Sequence, residues 1–151
     1  MGCNIQAHLE IRIAGQWHYY SLLDLHRNYD LFAKMANVRN SRKDITPISE
    51  LKGLPDDVSF MTAFHSNYAG KDGQWHSWLD YNEMLQLLNF IEETGMPKPW
   101  GHREEDRPYD IFKIDDFGVW LFGERISEFD TYPESYPSEL EDIRMVFWFD
   151  D

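Results

Sequence analysis

From Cys3 to Ile13 apolar and polar residues alternate without a break: Cys3, Ile5, Ala7, Leu9, Ile11 and Ile13 fall on one side, and Asn4, Gln6, His8, Glu10 and Arg12 on the other. A period of two sustained over this length predicts a half-buried β-strand. Ala14 to Trp17 supplies a glycine-containing turn, and Trp17 to Leu22 reads as the returning strand of a hairpin. With Gly15 and Gln16 as loop residues, His18, Tyr20 and Leu22 would share the face of Ile13, Ile11 and Leu9, leaving His18 at the edge of the core.

The period then changes. Leu31, Phe32, Met35 and Ala36 predict a short helix between Asn28 and Val38, with Asn28 as its cap. The stretch 39–57 keeps no period, is punctuated by Pro47, Gly53 and Pro55, and carries the local basic group Arg39, Arg42 and Lys43. Pro55 followed by Asp56 and Asp57 suits the first turn of a second helix running to about His65, since acids there oppose the helix dipole favourably.

Gly70 to Gln74 reads as a turn and Trp75 to Leu79 as a short strand. Asp80 and Glu83 have the spacing of a capping box. Met84, Leu85, Leu88 and Ile91, widened by Leu87 and Phe90, form the apolar stripe of a third helix, stopped by Gly95 and Pro97. Residues 96–108 read as a loop, 118–123 as a short buried strand and 127–142 as an acidic loop. Ile143, Met145, Phe147 and Phe149 alternate with Arg144, Val146 and Trp148, so the last strand, apolar on both faces, belongs inside the sheet. The sum is an α+β fold: a mostly antiparallel sheet including the N- and C-terminal strands, with two or three helices packed on one face, in a single globular domain over 1–151.

Composition narrows the function classes. The chain is 42% hydrophobic and 16% aromatic, which sets it apart from acidic disordered tails. Its net charge is -13, and the distribution is uneven: residues 1–100 hold 12 acids and 9 bases, residues 101–151 hold 15 and 5. Direct binding to nucleic acid is therefore not expected, because phosphate contacts need clustered Lys and Arg. A basic partner, or imitation of DNA by the acidic last third, fits the charge. Cys3 is the sole cysteine, so no internal disulfide can form, and a cytoplasmic setting is the expectation. No stretch has the length of apolar residues that a membrane helix needs, so no membrane partner is expected. Gln6 stands where a myristoylation signal wants Ser or Thr.

The chemistry-bearing residues form no familiar local motif. His8, His18, His26, His65, His76 and His102 show no HExxH spacing, and neither a GxSxG elbow nor a glycine-rich phosphate loop occurs. The best nonlocal metal candidates are His65 and His76, which flank the loop 66–75, with Asp72 or Asp80 near them in sequence. The doubled acids Asp56-Asp57, Asp115-Asp116 and Asp150-Asp151 read as solvated ends of elements.

Several stretches carry a resemblance in common: "MGCNIQ" at 1–6, "RNYDLFAKMANVRN" at 27–40, "PIS" at 47–49 followed by "GLPDDVS" at 53–59, "HSWL" at 76–79 and "DIRMVFWFD" at 142–150. In this order they resemble a family of small phage and prophage proteins that typically begin Met-Gly-Cys-Asp-Ile-His. In that pattern the polar face of the first strand offers a carboxylate and an imidazole two residues apart, a pair suited to a metal or to proton transfer. Here those positions are Asn4 and Gln6, amides that donate and accept hydrogen bonds but carry no charge.

The resemblance implies a bacteriophage accessory protein, working in the host cytoplasm, that binds a host protein or a small polar ligand and thereby counters a host defence or redirects host metabolism. Its candidate ligand-binding residues are Asn4, Gln6, His8, Arg27, Asn28, Arg39, Asn40, Asp57, His76 and Ser77. No cofactor is expected under that reading. The alternative is a metal-assisted hydrolase of a phosphate or nucleotide substrate, taking a divalent metal on His65 and His76 with Asp57 and His8 as further ligands or acid-base groups. A virion structural component is a third reading. Oligomeric state is not legible from the residues.

Overall fold

The computed structural model describes residues 2–23, 25–41, 44–69, 73–96, 112–115, 118–121, 124–125 and 140–150. Residues 42–43, 70–72, 97–111 and 126–139 lie outside these residues, so most of the expected turn at 70–74, loop at 96–108 and acidic loop at 127–142 falls there, as does the acidic surface expected to imitate DNA.

The element order is β1 (Asn4–Ile13), β2 (Gln16–Leu23), α1 (Tyr29–Ala36), α2 (Phe60–Ala69), β3 (Gly73–Leu79), α3 (Tyr81–Thr94), β4 (Phe112–Asp115), β5 (Gly118–Leu121), β6 (Glu124–Arg125) and β7 (Leu140–Asp150). Four strands form an antiparallel sheet in the order β2-β1-β7-β3. The C-terminal strand thus lies inside the sheet beside the N-terminal one, as its two apolar faces require. A second antiparallel sheet joins β4, β5 and β6; only its middle strand was expected from the sequence.

The alternation in β1 divides the large sheet into two unlike faces. Ile5, Leu9 and Ile11 lie with Met145, Phe147 and Phe149 of β7 in one buried cluster, covered by Leu31, Phe32 and Met35 of α1 and by Met84, Leu87 and Ile91 of α3. Two helices therefore share the apolar face, and α2 lies over the other. Cys3 is fully buried in the same cluster and acts as a small apolar residue. Among the described residues no helix is long and apolar enough to cross a membrane.

Local chemistry explains the element ends. Asn28 accepts the Leu31 N–H and caps α1 as expected. At α3 the capping box closes in both directions: Asp80 Oδ1 accepts from Glu83 N–H at 2.9 Å, and Glu83 Oε1 accepts from Asp80 N–H at 3.0 Å. Gly95 ends the helix in the left-handed conformation at φ 67. Asp80→Ala is expected to lower stability by about 1 kcal/mol in a urea titration; an unchanged midpoint would show that the cap contributes nothing.

Three local expectations need correction. The β1–β2 loop is Ala14 and Gly15, both at positive φ (51 and 76), one residue earlier than expected, so Ile13 pairs with Gln16. His18 then lies opposite Ile11 but is exposed, and a bulge between Leu9 and Glu10 turns Leu22 to the His8 side. The second helix starts at Phe60, not at Pro55: residues 55–58 make a turn, with Val58 N–H donating to the Pro55 carbonyl. Ser59 Oγ accepts the Thr62 N–H at the start of this helix, and the aspartates expected in its first turn precede it.

Candidate functional site

The face under α2 holds a polar layer. β1 contributes His8 and Glu10, β7 contributes Arg144 and Trp148, and β3 contributes His76; register places Glu10 directly opposite Arg144. Glu10 is fully buried, and its Oε1 accepts from Arg144 Nε at 2.9 Å and lies 2.7 Å from Nη2. Its other oxygen accepts the Ser59 N–H at 3.0 Å, tying the start of α2 to the sheet. The far side of the guanidinium donates from Nη1 to Asp57 Oδ1 at 2.8 Å and from Nη2 to the Asp57 carbonyl at 3.3 Å. That bond holds the Asp57 carboxyl below its ordinary pKa.

Beside this ion group lies an aromatic row. Trp148 stands between two imidazoles: His8 stacks on it at 4.7 Å between ring centres and His76 at 5.6 Å. From α2, His65 Nδ1 shares a 3.0 Å hydrogen bond with His8 Nε2, and Ser66 Oγ shares one of 3.0 Å with His76 Nε2. Burial lowers the His8 pKa to about 4, with His65 adding to the effect and Glu10 opposing it. Burial lowers that of His76 as well. Among the described residues, His8 Nδ1 and Trp148 Nε1 are buried without a hydrogen-bond partner.

Where the ion group reaches the surface it forms the floor of a groove of about 700 Å³. Trp17 and Trp78 line it, together with Arg12, Lys52 and the Pro55–Asp57 turn. The Arg144 guanidinium carbon lies 3.9 Å from the centre of the Trp17 ring and 5.8 Å from that of Trp78, and Lys52 Nζ lies 4.0 Å from Trp78. A second hollow of about 590 Å³ lies past the end of α1, lined by Arg39, Leu51 and Trp75 among others. Arg39 and Trp75 both take positive φ there (57 and 58), and Trp75 sits at a bulge in β3.

No family model matches this chain, and neither a curated protein nor a solved structure matches it.

Of the residues singled out from the sequence, His8, Asp57, His65 and His76 come to the layer beneath or beside α2. Asn4 and Gln6 share the His8 side of β1 but are exposed: Asn4 Oδ1 accepts two bonds from Arg27, at 3.1 and 2.9 Å, and Gln6 donates to Asp150. Asn28 caps α1, and Asn40 donates to Asn37 and to the Ile45 carbonyl. Arg39 lies over the Tyr29 ring at 5.5 Å, and Ser77 is buried, accepting the Lys52 N–H. The structure therefore does not gather the ten candidates into one pocket.

His65 meets His8 and His76 meets Ser66. Among the described residues no group of three or more His, Cys, Asp or Glu is placed to hold a metal ion. Sequence reasoning passed over Glu10, Arg144, Trp17, Lys52 and Trp78. One signal was present: Arg144 is a charge inside a strand otherwise apolar on both faces, and such a charge needs a buried partner.

Proposed function

We propose that this chain is a binding protein, of the accessory kind found among small phage proteins, whose site is the groove between Trp17 and Trp78. What carries the reading is the groove's construction: two indoles on different strands flank the Arg144 guanidinium, which the buried Glu10 and Asp57 hold in place. A volume of about 700 Å³ is in the range of small-ligand sites and also accommodates side chains presented by a protein surface. Tryptophan and arginine are the residue types that dominate binding energy at interfaces. The resemblance to phage proteins supports a host protein as the partner, and countering a host defence as the outcome of binding.

Affinity capture from a bacterial host extract tests this. A partner held by the wild-type chain and lost on Trp78→Ala, with the variant's circular dichroism unchanged, is the expected result. Equal retention by wild type and Trp78→Ala would place the binding elsewhere. Stoichiometric divalent metal in the purified protein, lost on His65→Ala together with phosphodiester hydrolysis, would replace this reading with the metal-assisted hydrolase.

A further inference from the structure

We infer that the outer face of α2 is an interface between two copies of this chain, packed as an antiparallel helix pair about a two-fold axis. A helix lying on a sheet ordinarily turns its apolar stripe inward and its polar side to water. In α2 the order is reversed. Ser59 at its start, Thr62 and Ser66 are buried and His65 reaches in to His8, whereas Phe60, Met61 and Phe64 are 80%, 42% and 52% exposed. Among the described residues, none of α2 belongs to the apolar core.

The outward residues make one surface. Positions 60, 61 and 64 fall within about 100° of one another around a helix, and the Phe60 and Phe64 rings stack with 6.3 Å between centres and 24° between planes. Leu22 of β2, on the side of the sheet that α2 covers, is 53% exposed as well. A contiguous apolar patch of this kind marks an interaction site.

Charge and symmetry choose a second copy as its occupant. Residues 58–70 contain no Asp, Glu, Lys or Arg, in a chain of net charge -13. Two identical acidic chains repel over most of their surface and can approach at this neutral face, which gives a charged partner nothing to pair with. A two-fold contact must also be self-complementary, with residue i on j and j on i. Phe60 and Phe64, one turn apart, meet that condition: antiparallel α2 helices set Phe60 of each copy against Phe64 of the other, bringing four rings together. At about 200 Å² for a large side chain, the exposed parts of Phe60, Met61, Phe64 and Leu22 amount to about 400 Å² per copy, the scale of a weak, concentration-dependent pair. The groove over Arg144 takes no lining residue from α2, so the two surfaces can be tested separately.

Sedimentation equilibrium of the full chain between about 5 μM and about 1 mM covers the affinities of interfaces this size. A monomer–dimer equilibrium is expected, and added salt should tighten it by screening the repulsion between two acidic chains. Phe60→Glu should weaken it about tenfold or more by setting carboxylates into the contact, and Phe64→Ser should weaken it in the same direction. Both positions are exposed, so circular dichroism should be unchanged. Trp78→Ala, in the groove, should leave association within about twofold.

A monomer at every concentration would overturn the inference. So would a dimer that Phe60→Glu and Phe64→Ser leave intact, or one that salt dissociates. Loss of host-partner capture on Phe60→Glu, with the wild-type chain monomeric throughout, would overturn it by giving this face to a different protein.

Discussion

Replacing Arg144 with methionine is expected to destabilise the fold by about 3–5 kcal/mol, because it strands a carboxylate that has no access to water. Glu10 is fully buried and receives two of its three charge-relevant contacts from the guanidinium; only the Ser59 N–H would remain. Asp57, largely exposed, would regain water and contribute little to the loss. The second half of the cycle is as informative. Glu10→Leu combined with Arg144→Met removes both charges, and most of the loss should be recovered, since a buried pair gains little over well-packed apolar residues. Urea titrations of wild type, both single variants and the double variant measure this. A single-variant loss below about 1 kcal/mol would mean that Glu10 is not sealed beneath α2.

The second large effect is on pH. In the fold His8 protonates only near pH 4, whereas in the unfolded chain it does so near 6.5. Between those values the unfolded state holds more protons than the native one, so stability falls as pH falls. The contribution is fully present above about 6.5, is lost progressively toward 4, and levels off below. At about 1.4 kcal/mol per unit the loss is about 3 kcal/mol.

The surroundings of His8 explain the direction. Tyr19 from β2, Trp148 from β7 and His65 from α2 all face the ring, and among the described residues the acid acting on it, Glu10, is already engaged by Arg144. His76, lowered by burial, adds in the same direction. Asp57, whose folded pKa is depressed, adds stability that disappears only as pH falls through that lowered value. His8→Gln should flatten the stability profile between pH 6.5 and 4, and an unchanged slope would assign the sensitivity to other groups.

What was legible in the sequence was whatever is decided locally. The alternation of β1, the cap at Asn28, the Asp80–Glu83 box and the central place of β7 all follow from spacings within a few residues, and the structure has them. The errors arose where a distant contact competes with a local rule. Asp56 and Asp57 look like the first turn of a helix, but Asp57 is held by Arg144, 87 positions away, and the helix begins at Phe60. The row of Asn4, Gln6 and His8 was read correctly as one side of a strand. Periodicity could not show that α2 covers His8 and Glu10 while leaving Asn4 and Gln6 exposed.

The groove was invisible for the same reason. Trp17, Lys52, Trp78 and Arg144 come from β2, a connection, β3 and β7, and only sheet register brings them together. The bulges at Leu9/Glu10 and Gln74/Ser77, which set which side chains share a face, leave no mark in composition.

The most direct measurement follows the indole N–H resonances of Trp17, Trp78 and Trp75 while the partner captured from host extract is added. Trp17 and Trp78 should shift together and saturate at one concentration, with Trp75, in the hollow past α1, left in place. Movement of Trp75 with Trp17 and Trp78 unmoved would contradict the assignment of the binding site to the groove over Arg144.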